Sequence, residues 1–208
     1  MFIPKRKKKI LEVFLSQPFK EIHLREIARL SEVSLSHVKD SLHNFVAEDI
    51  FIRRDISNMT FFKPNFNNEQ LLKIFECLEL ERKKDFYNKN RNIARLLQQY
   101  TDKAIELSDK RMQLLILFGS VARGQWTKKS DIDILAVATE EDRNIIGVLN
   151  KAKEDIGPLL RISPITTSAK KFIKGFKQKA EFYEELFNDR IVLYNEFLFW
   201  QLVKEGGE

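Results

Sequence analysis

"LFGSVARGQWTKKSDIDILAV", residues 117–137, sets two aspartates one residue apart inside an apolar run. Side chains alternate faces along a strand, so Asp131 and Asp133 project together while Ile132 and Ile134 turn to the core. Neighbouring carboxylates repel one another and resist desolvation. A divalent cation removes that cost, and an oxygen-only donor pair suits Mg²⁺ with substrate phosphates as the remaining ligands. The preceding loop supplies the complementary half. Gly119-Ser120 follows the apolar run "MQLLILF" and opens a helix, whose backbone N–H groups can face a phosphate. Gly119 lets the backbone approach closely, and Gly124 lets the chain turn back. Arg123, with Lys128 and Lys129, can neutralise phosphate charge. Trp126 reads as a loop anchor.

"GSVARGQWTKKSDIDIL" resembles the signature of the DNA polymerase β-type nucleotidyltransferase superfamily: G-S-x-A-x-G, a short spacer, then S-D-x-D. The matching positions are Gly119, Ser120, Ala122, Arg123, Gly124, Ser130, Asp131 and Asp133. Size and composition are those of the minimal nucleotidyltransferases of archaea and bacteria, over about residues 112–195. The resemblance implies a mixed sheet backed by helices that binds Mg-NTP, usually ATP. Gly119, Ser120, Arg123, Gly124 and Ser130 would bind the nucleotide. Asp131 and Asp133 would be the metal ligands and the catalytic pair. An acceptor hydroxyl would attack the α-phosphate and pyrophosphate would leave. The group's acceptor is commonly a partner toxin protein that receives AMP. One part of the family pattern is missing: the next strand, "LLRISPITT", has no third carboxylate, and neither Asp155 nor Glu181 is placed to replace it. The alternative reading is therefore a transcription regulator that senses a nucleotide through a weak or inactive transferase domain.

Strand–helix alternation extends this region over residues 112–208. "MQLLILF", "DIDILAVA", "LLRISPITT" and "IVLY" read as strands. "EEDRNIIGVLNKAKEDIG" reads as a helix stopped by Gly157-Pro158. "SAKKFIKGFKQKAEFYEELFNDR" is largely helical, and "NEFLFWQLVKE" is a final helix. The lysine run through Lys170, Lys171, Lys174, Lys177 and Lys179 reads as a solvated helix face.

Residues 1–66 have a different pattern. Ile10, Leu11, Phe14 and Leu15 mark one helix. Leu24, Ile27, Ala28 and Leu30 mark a second. Leu35, Val38, Leu42, Phe45 and Val46 mark a third, with Ser34 as its N-cap. "FIRRDISNMTFFKPN" reads as two strands about an Ile56-Ser57-Asn58 turn. "LREIARLSEVSLSHVKDSLHNFVAEDIFIRR" resembles the winged helix-turn-helix domains of prokaryotic regulators. That resemblance implies DNA binding, with the third helix in the major groove. Ser34, Ser36, His37, Lys39, Asp40 and His43 lie on its exposed face, and Arg53, Arg54 and Lys63 of the hairpin face phosphates. His23, His37 and His43 lack a metal-ligand spacing and read as surface or capping residues.

Residues 67–111 contain no Pro or Gly and read as one or two helices with a weak point at residues 88–90. Leu71, Phe75 and Leu78 share one stripe. Phe86, Ile93, Leu97, Tyr100 and Ala104 share another. This segment is either a connector packed on its neighbours or a dimerisation helix, because helix-turn-helix domains usually bind paired half-sites as homodimers.

The expected fold class is thus α+β: a winged helix-turn-helix, a helical linker and a mixed-sheet nucleotidyltransferase domain. The 208 residues carry a net charge of +6, most of it in the first third, which places a polyanionic partner there. A single cysteine, Cys77, excludes a disulfide framework within the chain. No apolar run reaches the length of a membrane span, and no signal peptide is visible, so the expected location is cytoplasmic.

Overall fold

The computed structural model describes residues 3–125, 127, 130–139, 144–157, 161–178 and 180–207, apart from the side chain of Glu184. The readings at Trp126, Lys128, Lys129, Pro158 and Lys179, and the proposed helix start at 140–143, lie outside the described residues. The chain divides into two compact units, Met1–Leu78 and Glu79–Glu208.

In the first unit, α1 (Lys5–Ser16) buries Ile10, Leu11, Phe14 and Leu15. A short strand β1 (Ile22–His23) leads into α2 (Leu24–Ser31). His23 caps α2, its Nδ1 accepting from the Arg25 backbone N–H at 3.3 Å. Helix α3 (Leu35–Ala47) buries Val38, Leu42 and Phe45, whereas Leu35 is exposed. Ser34 occupies its N-cap position, but its hydroxyl bonds to His37 rather than to a backbone N–H. β2 (Phe51–Ile56) and β3 (Met59–Pro64) form the expected hairpin. Ile56 pairs with Met59, so the turn is Ser57-Asn58 alone, with Ser57 left-handed at φ 53°. Residue His23 pairs with Phe61, which adds β1 to the hairpin as a third antiparallel strand.

The division between units falls inside α4 (Glu69–Lys89), whereas the sequence segments end at 66 and 111. Asn90 separates α4 from α5 (Arg91–Ser108): its backbone N–H and its side-chain amide both donate to the Phe86 carbonyl. The turn after α5 is made by Asp109 and Lys110, both left-handed.

The second unit is built on β4 (Met112–Phe118), followed by α6 (Gly119–Ala122), β5 (Ile132–Ala138), α7 (Ile145–Ile156) and β6 (Ile162–Ser168). It closes with α8 (Ala169–Lys177), α9 (Glu181–Asp189), β7 (Ile191–Tyr194) and α10 (Glu196–Gly207). The largely helical stretch after Ser168 consists of α8 and α9. The sheet order is β6-β5-β4-β7, with β5 and β6 parallel and the other pairs antiparallel. A mixed α+β domain is the result.

Alternation gives the sheet two buried faces. Leu115, Leu117, Ile132, Ile134 and Ala136 pack against Leu97, Tyr100 and Ala104 of α5 and Ile145, Leu149 and Ala152 of α7. The α5 stripe is therefore consumed inside this core, which leaves it unavailable to a second copy. Ile116, Leu135 and Val137 point the other way, where α8 and α10 cover the sheet with Phe172, Phe199 and Trp200. Arg190 is buried within this aromatic layer. Its guanidinium lies over the rings of Phe187, Phe199 and Trp200 at 4.9, 4.6 and 5.2 Å and forms an ion pair with the equally buried Glu79. Burial draws the Arg190 pKa down to about 10.

Candidate active site

The site is assembled where β4 ends and β5 begins. Phe118 pairs with Asp133 across the two strands, so the chain must leave β4 directly beside that carboxylate. Gly119 makes this turn at φ +73°, a conformation costly for residues with a Cβ. A Cβ at this position would lie 2.6 Å from Asp133 Oδ2. Two constraints, backbone conformation and space, therefore meet at one glycine. Helix α6 follows for a single turn. The Gly124 N–H donates to Val121 and the Gln125 N–H to Ser120, and Gly124 also has φ +73°.

The ladder of β5 starts at Ile132, so Asp131 is the last residue before the strand rather than part of it. Asp131 is exposed and Asp133 half-buried, while Ile132 and Ile134 are buried as expected. Burial raises the Asp133 pKa, the negative charge of Asp131 raises it further, and Arg123 opposes both. Two same-sign groups are thus held close together, against their mutual repulsion.

Arg123 is engaged elsewhere. Its Nη1 donates to Asp189 Oδ2 at 2.9 Å, at the end of α9. Asp189 lies in the segment read from the sequence only as largely helical, and nothing in its spacing points to the site. Ser130 closes its own loop: its Oγ accepts from the Thr127 N–H at 2.9 Å, and its N–H donates to the Thr127 carbonyl. Ser120 is half-buried on α6. The structure therefore gathers Gly119, Asp131, Asp133 and Arg123 at one end of the sheet, and gives Ser130 a loop-closing bond.

The register with β6 places Ser163 beside Asp133 and Ile162 beside Ile132. No carboxylate stands at that position. Among the described residues no group of three or more His, Cys, Asp or Glu side chains could hold a metal ion. The Asp131–Asp133 pair still fits a hard cation that takes one or two carboxylates and fills its remaining positions with water and phosphate oxygens.

The candidate DNA-contacting residues separate into two sets. Ser36, Lys39 and His43 of α3 line an open groove of about 620 Å³ together with Arg53 and Asn58 of the hairpin, His23 of β1 and Arg25 of α2. Ser34 and His37 belong to a local network: Arg6 donates to His37 Nε2, so the ring's Nδ1–H donates to Ser34 Oγ at 2.7 Å. Arg53 is paired with Asp55 at 3.0 Å. Glu21 lies 3.4 Å from Arg54 and 3.8 Å from Lys63.

Residues 104–193 match the family model described as nucleotidyltransferase domain, a span that includes every residue of the site at the end of the sheet. Neither a curated protein nor a solved structure matches the chain. No helix among the described residues is long and apolar enough to cross a membrane.

Proposed function

We propose that the nucleotidyltransferase domain transfers a nucleotide, AMP from ATP, to a hydroxyl of a partner protein. The observation that carries this reading is that Gly119 turns directly beside the Asp133 carboxylate, where a Cβ would lie 2.6 Å from Oδ2, which sets the Gly-Ser turn next to the carboxylate pair. In this reading Asp131 and Asp133 hold Mg²⁺, and Gly119, Ser120 and Arg123 bind the triphosphate. Bound magnesium supplies positive charge that offsets the carboxylates and draws phosphate oxygens to the site. The acceptor oxygen forms a bond to the α-phosphorus, the α–β anhydride bond breaks, pyrophosphate leaves and the hydroxyl proton passes to solvent. Gly124 and Ser130 act by shaping the loop between the two halves.

The first unit, in the same reading, is a winged helix-turn-helix that binds DNA through α3 and the hairpin. Three helices, a hairpin and the groove lined by Ser36, Lys39, His43 and Arg53 support it. Together the units would form an antitoxin-like protein that modifies its partner and represses its own operon. A second reading is favoured by Ser163, which stands where the family's third carboxylate would be: a regulator that binds the nucleotide without transferring it.

Incubation with α-labelled ATP and Mg²⁺ in a lysate of the source cells separates the two. The transferase reading expects label on a protein band with the wild type and none with D131A/D133A. MgATP binding without any labelled product would establish the sensor reading instead.

A further inference from the structure

Arg123 lies near enough to Asp133 for its charge to act on that carboxylate, yet its hydrogen bond goes to another residue. Arg123 caps α6, four residues beyond Gly119, where a Cβ would lie 2.6 Å from Asp133 Oδ2. Its charge reaches Asp133 and opposes the upward pull of burial and of Asp131. Its hydrogen bond nevertheless goes to Asp189, 66 residues further along the chain. Helices α6 and α9 pack on each other, and Phe118 and Phe182 meet edge-on at 5.4 Å, so the two sides of this ion pair are fixed by packing as well as by charge. Both side chains remain partly exposed.

Resting on the proposed function, we infer that Asp189 is a positioning residue that keeps Arg123 off the Asp131–Asp133 pair and thereby leaves that pair free for a divalent cation. Released from Asp189, Arg123 would neutralise Asp133 itself and compete with the cation for the same oxygens. Held by Asp189 through Nη1, the guanidinium keeps further N–H donors for an incoming phosphate. The ion pair thus separates two positive charges that the site needs in different places: the metal ion on the carboxylates and Arg123 on the nucleotide. Asp189 touches neither reacting group.

The test is Mn²⁺ binding, followed by electron paramagnetic resonance, in the wild type, D189N, R123Q and R123Q/D189N, with thermal melting to establish that each variant is folded. A partly exposed pair has a small coupling energy, so D189N should weaken Mn²⁺ binding about three- to fivefold when Arg123 is present. In the R123Q background the same substitution should change binding less than about 1.5-fold, and D189E should restore most of the loss. An equal loss in both backgrounds would mean that Asp189 acts by its own charge and would overturn the inference, as would no loss in either. Wild-type protein that binds no Mn²⁺, alone or with ATP, would sink the proposed function itself, and this inference with it.

Discussion

In the first unit Arg53 lies against Asp55, Arg54 and Lys63 against Glu21, and Arg29 against Glu26. In the second unit Asp131 and Asp133 carry like charge side by side, and the guanidinium that acts on Asp133 is bonded to Asp189. The first pattern is the ordinary one, in which exposed opposite charges meet and each pair adds little. The second leaves an electrostatic cost standing in the free protein. Charges are satisfied locally in the first unit, while the carboxylates opposed in the second are where the proposed function sets a charged ligand.

The sharpest contrast within that comparison is between buried and exposed pairs. Removing Glu79 takes the buried carboxylate away from the buried Arg190 guanidinium. E79A should lower unfolding free energy by about 3–5 kcal/mol in urea titrations. E26A, at an exposed pair on α2, should leave the unfolding free energy nearly unchanged. Similar losses at the two sites would erase the distinction.

G119A comes next. Its left-handed backbone costs about 1–2 kcal/mol with a Cβ present, and the methyl group must displace Asp133. The variant should keep its circular dichroism spectrum and lose Mg²⁺-dependent ATP binding. G124A, where a Cβ meets nothing within 4 Å, should lose only the stability.

D133N tests the standing cost directly. Burial and Asp131 raise the Asp133 pKa, so the native state binds its proton more tightly than the unfolded chain does. Wild-type stability from this group is therefore present below about pH 3.9, the ordinary Asp value, and is lost as pH rises through the raised folded-state value. Asparagine cannot ionise, so D133N should melt higher than wild type at neutral pH, with the gap closing towards acid pH. Adding Mg²⁺ and ATP should narrow the gap by stabilising the wild type alone.

The smallest effect is expected in the first unit. E21Q releases Arg54 and Lys63, and should raise affinity for a duplex at low salt by up to about fivefold, with a steeper dependence on salt concentration. Fluorescence anisotropy measures both.

Much of this contrast was legible in the sequence where it depends on local spacing. The G-S-x-A-x-G element announced the turn, and the two-residue period put Ile132 and Ile134 in the core, but it also set Asp131 on a strand that begins only at Ile132. The stripe through Ile93, Leu97, Tyr100 and Ala104 announced α5, although its burial in the sheet's core was settled by tertiary packing. Pairings between distant residues left no such trace. Arg123 meets Asp189 and Glu79 meets Arg190 across 66 and 111 residues, and no periodicity encodes either. Ser34 shows the same limit at short range: it has the right chemistry for an N-cap, but His37, itself held by Arg6, takes its hydroxyl.

In the proposed function Asp131 and Asp133 are held together to bind a nucleotide through a divalent cation. Calorimetric titration of the full chain with ATP, in Mg²⁺ and then in EDTA, tests it most directly when repeated on D131A/D133A. The account predicts a binding isotherm that requires both the metal and the two aspartates. Equal binding in EDTA, or in the double variant, would contradict it.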